Sequence, residues 1–281
     1  PDAPPAAGAP LIPVGLACAH AATGNLRALM KLSELKAYLD TELRINDIPD
    51  YPDALNGLQL ESSKDEITCV GCAVDANLMT IIKAVKQGVD FLLVHHGLFW
   101  AGNRALTGVD FAKIELAIES KLAIYSAHLP LDVHPAWGNN AMLAKGLGLE
   151  PDGTFLDYKG QPIGITCKAD IMLPDLVTKF EAAVEGSHPN VGTGGPMKVG
   201  RVGICTGAAG SHIEGAHAAG VDTFITGEGP HWSFLRAEEL GMNAIYGGHY
   251  WTETAGVRAL AEHLSEKFKL GLEYINHPSG I

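Results

Sequence analysis

One stretch of this chain is written twice. Gln87-Gly88-Val89-Asp90-Phe91, running on to Trp100, returns as Ala219-Gly220-Val221-Asp222-Thr223, running on to Trp232. The same 132-residue offset carries Val70-Gly71 onto Val202-Gly203. Each copy reads as strand, helix, strand, helix, strand. The first copy has strands near 67–74, 90–95 and 122–127 and helices near 76–87 and 109–120. The second has strands near 199–205, 222–227 and 243–247 and helices near 212–219 and 230–240. Short apolar runs separated by helical stretches of this length indicate parallel βαβ units. The pattern predicts an α/β fold of two similar lobes. With an 11-residue contraction, Ala123-Ile124-Tyr125 falls on Ala244-Ile245-Tyr246, His128 on His249, and Asp132 on Glu253.

With 281 residues, 47% of them hydrophobic, the chain can bury a substantial core. Residues 1–29 are rich in Pro, Ala and Gly and read as an extension outside the core fold. Met30 opens the folded part, with Ser33 as the expected cap of a first helix. Residues 30–150 are expected to form the first lobe and 199–281 the second. Between them, 151–198 should hold a strand near 163–169, a helix from Pro174 to about Glu185, and a loop from Gly186 to Pro196. The Gly192-Thr193-Gly194-Gly195 run lacks the residues that complete a phosphate-binding loop.

A formal charge of −12 argues against a general nucleic-acid binder, because phosphate contacts are made mostly by Lys and Arg. No run of 18 apolar residues exists, so a membrane span is not expected. The Pro- and Ala-rich start lacks the basic segment of a secretory signal, and a cytoplasmic location is expected. Five cysteines in a chain this long fit reduced, buried thiols better than a disulfide scaffold. Cys69-x-x-Cys72 lies in what reads as a core strand.

The chemistry concentrates at strand ends, where α/β proteins place their sites. His95 and His96 follow the apolar run Phe91–Val94. Alternation would point their side chains apart, so both can serve one centre only where the strand ends, and Gly97 offers the freedom to turn there. His128 precedes Asp132 by four residues, and His249 precedes Glu253 likewise. Imidazoles beside carboxylates suit borderline divalent ions, with Fe, Zn or Mn expected over Ca. Asp132 can ligate one ion, and Glu253 can bridge two. His128, Glu228 and His231 are candidates for proton transfer. Asn56 and Gln59 are candidates for substrate contact, and Trp100, Trp232 and Trp251 can wall a cleft.

These residues together resemble the Nif3-like family, dinuclear-metal proteins described as type 2 GTP cyclohydrolase I. The resemblance runs from Met30 to the end of the chain. It includes Asn56-Gly57-Leu58-Gln59, His95-His96 with Phe99, His128 with Asp132, Thr226-Gly227-Glu228 with His231, and Gly248-His249 with Glu253. It implies metal ligands at His95, His96, Asp132, His249 and Glu253, with Glu253 bridging. It also implies a two-lobed fold with the metal cleft between the lobes, two divalent ions per chain and a toroidal homohexamer. The chain departs from the family pattern at Gly97, at Leu129-Pro130 and at Tyr250-Trp251, sparing all five ligands. The function expected is a metal-dependent hydrolase of a small, phosphorylated or nucleotide-like substrate. The alternative is a non-catalytic metal-binding scaffold or regulator.

Overall fold

The computed structural model describes residues 29–102 and 104–280; the extension expected over 1–29 therefore lies almost wholly outside the described residues. Two sheets carry the two sequence repeats. In the first, strands Cys69–Asp75, Phe91–His96 and Ala123–Ser126 run parallel, with Gly57–Leu60 antiparallel at one edge and Gly271–Tyr274 parallel at the other. In the second, Lys198–Ile204, Thr223–Thr226 and Asn243–Tyr246 run parallel, flanked by antiparallel Asn190–Thr193 and Gln161–Met172, the latter paired with Pro151–Tyr158.

The central strands are buried over most of their length because helices cover both faces of each sheet, with Lys198 and Gly200 at the start of one strand left exposed. Phe91–Val94 illustrates the consequence. Phe91 and Leu93 enter one core cluster while Leu92 and Val94 enter another, so an unbroken apolar run is required. Cys69 and Cys72 are likewise divided between two clusters on opposite faces, which rules out a CxxC pair acting together. Cys72, Cys167 and Cys205 are buried free thiols, as expected. Cys69 is instead disulfide-bonded, a departure from the expectation of reduced thiols throughout.

Strand pairing sets the repeat's true register. Val70 pairs with Phe91 and Val202 with Thr223, which upholds the 132-residue offset. Phe91 then pairs with Ala123, but Thr223 pairs with Asn243, not Ala244. The contraction is one residue larger than the sequence match suggests, and a one-residue shift exchanges the faces of a strand. Tyr125 and Ile245 accordingly occupy matching cores. His128 is thus the counterpart of Gly248, and Asp132 of Thr252. The two His-x-x-x-carboxylate pairs are similar in spacing, but they do not occupy equivalent positions.

The lobe boundaries expected at 150 and 198 also differ from those of the sheets. Residues 151–193 supply three strands of the second sheet. Helix Thr254–Phe268 crosses back to the first sheet, burying Val257, Leu260, Ala261 and Leu264 in its core, and the last strand pairs with Cys69–Asp75. The expected loop 186–196 contains the edge strand Asn190–Thr193. Its glycines answer close packing: a Cβ on Gly194 would lie 2.4 Å from the Glu238 Cα, and one on Gly195 2.5 Å from the Asn243 nitrogen. Ser33 lies inside helix Leu32–Glu42 and is not its cap.

Candidate metal centre

The carboxyl ends of the parallel strands of both sheets meet around one cavity of about 590 Å³. His95 and His96 end the strand Phe91–His96. Asp132 closes a short helical turn, Leu129–Asp132, that follows the next strand. Pro130 is tolerated in this turn because it falls at its start, where its missing N–H has no intrahelical partner to lose. His249 begins the matching turn, His249–Thr252, in the second lobe, and Glu253 follows it directly. Thr252 does not cap the long helix after it. It accepts from the Gly207 N–H and ties the loop after Lys198–Ile204 to this turn.

Within the cavity the imidazoles converge on the carboxylates. His95 Nε2 is 3.5 Å from both Asp132 Oδ2 and Glu253 Oε1. Glu253 Oε2 is 3.3 Å from His96 Nε2 and 3.2 Å from His249 Nε2. The rings of His96 and His249, one from each lobe, are 5.2 Å apart. Donor atoms of His95, Asp132 and Glu253 lie within 4.8 Å of one another, and those of His96, His249 and Glu253 do the same. His128 forms a third such group with His95 and His96.

These spacings suit metal ions better than hydrogen bonds. His95 Nε2 and Glu253 Oε2 are buried and have no hydrogen-bond partner. Leaving a buried donor or acceptor unmatched costs about 1–3 kcal/mol, more when the group is charged. Two ligand atoms about 2.1 Å from one ion at a tetrahedral angle sit about 3.4 Å apart, which matches the observed contacts. A Cβ on Gly207 would lie 2.2 Å from Glu253 Oε1, so the loop approaches the carboxylate as closely as a side chain-free residue allows. The residues present fit a pair of divalent ions, with Glu253 offering one oxygen to each group.

Every one of these histidines has its other nitrogen fixed. His95 Nδ1–H donates to the Ala127 carbonyl at 2.9 Å. His96 donates to Asp75 at 2.9 Å and His249 to Glu228 at 2.7 Å. His128 donates to Asp50 at 2.9 Å. Such partners orient the ring and leave Nε2 for the centre. Sequence reasoning missed Asp50 and Asp75 in this role.

The electrostatics follow from the same contacts. Burial opposes protonation of His95, but Asp132 and Glu253 outweigh it and hold its pKa well above that of an ordinary histidine. Burial likewise depresses His249, and Glu253 with Glu228 overcomes it, lifting the pKa to about 9. Burial raises Glu253, yet His95, His96 and His249 together hold it well below the usual carboxylate range. Burial, with Asp132 and Glu253 close by, pushes the Cys205 thiol up, so it remains a neutral wall group.

The other candidate residues divide. His128 lines the cavity, while Glu228 spends a carboxylate oxygen on His249. His231 sits exposed at the start of helix His231–Glu239 and is not among the residues lining the cavity. Asn56 does not line the cavity either: it donates to Asp50 at 2.7 Å and accepts from the His128 N–H at 2.7 Å, bracing that pair. Gln59 accepts from Leu98 N–H and donates to the Ala54 and Leu55 carbonyls, so it supports the loop after the histidine pair. Gly97 keeps an ordinary φ; a Cβ there would lie 2.3 Å from the Gln59 carboxamide and would displace it from its hydrogen bonds. Trp100 walls the cavity, Trp232 is exposed, and Trp251 packs on the second lobe's core.

Two lobes of one βαβ plan, with carboxylates and imidazoles gathered between them, define the class: an α/β protein with a potential dinuclear metal cleft. The sequence of the Duf34/NIF3 (NGG1p interacting factor 3) family matches residues 30–278, and the chain belongs to that family. A relative from Deinococcus radiodurans, described as a GTP cyclohydrolase 1 type 2 homolog, is 40% identical over 250 residues, covering 88% of this chain and 94% of its own. One of the same description from Halobacterium salinarum is 37% identical over 256 residues, covering 90% and 100%. A solved structure of protein ybgI, described as of unknown function, superposes with a TM-score of 0.82 at 35% identity, covering 90% of this chain and 100% of that one.

Proposed function

We propose that the protein is a dinuclear divalent-metal-dependent hydrolase acting on a small substrate. The single observation that carries this reading is the pair of unmatched buried atoms, His95 Nε2 and Glu253 Oε2, beside a cavity that Glu253 lines and that is open to a ligand. His95, Asp132 and Glu253 would hold one ion and His96, His249 and Glu253 the other. Fe, Zn and Mn suit that donor set. When bound, such ions lower the pKa of water and polarise the bond under attack.

The chain's own residues supply the rest. His128, held by Asp50 and facing the same centre, is placed to move a proton, and Trp100 packs edge-on to it with ring centroids 4.7 Å apart. Leu129 and Ile163 exclude water from part of the wall. The cavity volume accommodates a phosphorylated or nucleotide-like molecule.

The test is a screen of phosphoesters, nucleotides and cyclic amides, GTP among them, with metal-loaded protein beside an Asp132→Ala, Glu253→Ala double variant. Turnover that disappears in the variant supports the enzyme. Equal activity in both, or none in either, favours the non-catalytic scaffold. We further propose that the chain assembles as a homohexamer. Helices Gly108–Glu119 and His231–Glu239 expose Val109, Phe111, Ile118, Trp232 and Leu235, each about half exposed or more, apolar side chains suited to self-association. Light scattering that gives a stable monomer at micromolar concentration would reject the assembly.

A further inference from the structure

Two asparagines open helix Asn139–Leu147, and both are buried. A buried carboxamide must find partners for its donor and its acceptor ends. Asparagine near a helix start often serves the helix's own N–H groups, but these two side chains reach elsewhere. Asn140 ties the helix to the second lobe: its Nδ2–H donates to the Ile163 carbonyl at 2.8 Å, and its Oδ1 accepts from the Thr206 N–H at 2.9 Å.

Asn139 spends both ends on the metal centre. Its Nδ2–H donates to Asp132 Oδ1 at 2.8 Å, and its Oδ1 accepts from the Gly256 N–H at 2.8 Å. An ionised carboxylate can only accept and a backbone N–H can only donate, so the carboxamide has one possible orientation. With Asp132 Oδ1 held in this way, Oδ2 is the oxygen that faces His95 Nε2 at 3.5 Å. Gly256 lies in the first turn of helix Thr254–Phe268, where N–H groups have no intrahelical acceptor. Glu253 occupies the capping position of that helix but makes no cap, because its carboxylate is turned to the imidazoles. Asn139 supplies the missing acceptor. The approach is close enough that a Cβ on Gly256 would lie 2.6 Å from Asn139 Oδ1.

We propose that Asn139 is a positioning residue of the metal centre, whose one carboxamide sets the Asp132 and Glu253 carboxylates relative to each other. This rests on the dinuclear reading and adds to it a residue that touches neither ion. The two ends of the side chain have separable effects. The donor end fixes Asp132, and so serves the His95 group alone. The acceptor end fixes the start of the helix behind Glu253, and so serves both groups.

The test is competition for Zn(II) between the full chain and a chromophoric chelator, read as an affinity for each equivalent per folded molecule. Asn139→Asp keeps an acceptor for the Gly256 N–H but sets a carboxylate against Asp132. It should weaken one equivalent by about 10–100-fold and leave the other within about twofold. Adding Glu228→Gln should then weaken the equivalent that the single variant spares. Asn139→Leu removes both ends and should weaken both equivalents. A packing role alone would lower the melting temperature of the metal-free chain and leave both affinities per folded molecule unchanged, and that result overturns the proposal. Equal loss of both equivalents in Asn139→Asp overturns it as well. Should the Asn139 variants fail to fold, Gly256→Ala decides: crowding the same carboxamide should weaken both equivalents, and unchanged affinities overturn the proposal. A wild type that takes up no ion sinks the dinuclear reading and this proposal together. Two ions in the wild type without turnover would retire the hydrolase and leave the role of Asn139 to be judged on the affinities.

Discussion

Glu253 is the residue on which both halves of the site depend, since His95, His96 and His249 all face its carboxylate. Behind each of these rings stands a partner that fixes it, and behind His249 that partner is Glu228. Glu228→Gln retains an oxygen that can accept from the His249 Nδ1–H but removes the charge. Metal affinity should fall by about 10–100-fold, read by competition with a chromophoric chelator, while the fold is kept. Unchanged affinity would show that Glu228 does not act through the ring. Protonation gives a second expectation. The His249 pKa is raised to about 9 in the metal-free chain, and His95 is raised as well, so both carry a proton at neutral pH that a metal must displace. Affinity should therefore fall as pH drops from about 9, with protons released on binding. Calorimetry in buffers of different ionisation enthalpy measures that release, and a value of zero at neutral pH would contradict the assignment. The clustering of His95, His96, Asp132, His249 and Glu253 was foreshadowed in the sequence because strand ends followed by His or by a carboxylate are short-range patterns. The roles of Asp50 and Asp75 were not, because Asp50 meets its histidine across a separation of 78 positions, and Asp75 lies on a neighbouring strand.

At the scale of elements, the repeat predicted the order of strands and helices well, because buried parallel strands need unbroken apolar runs. Register was harder. Apolar residues fill both faces of these strands, so a match displaced by one residue looks as good in sequence as the true one. Only the pairing of Thr223 with Asn243 separates them. The edge strand Asn190–Thr193 reads as loop in the sequence because it is short, partly exposed and rich in turn-forming residues. The lobe boundary failed for a different reason: nothing local tells helix Thr254–Phe268 which sheet it will cover. Its return to the first sheet carries a consequence. A fragment of residues 30–150 lacks both that helix and the edge strand Gly271–Tyr274. Burial of each large apolar side chain such as Leu260 or Leu264 is worth about 1.5–3 kcal/mol. The fragment should show no cooperative thermal transition by circular dichroism. A sharp, reversible melt would establish the first lobe as an independent unit and contradict this account.

For the whole molecule, the interleaving of the lobes explains how one cavity can draw its ligands from both. The chain leaves the first sheet, builds the second, and returns, so the strand ends that carry His95 and His96 are fixed against the turn that carries His249 and Glu253. No helix among the described residues is long and apolar enough to cross a membrane. We propose that this arrangement exists to hold two divalent ions. Elemental analysis of the full chain after reconstitution with Zn, Mn or Fe(II), set beside Glu253→Ala, tests it most directly. The account predicts about two equivalents per chain for the wild type and a marked loss in the variant. Fewer than about 0.3 equivalents in the wild type, with none regained on reconstitution, would contradict it.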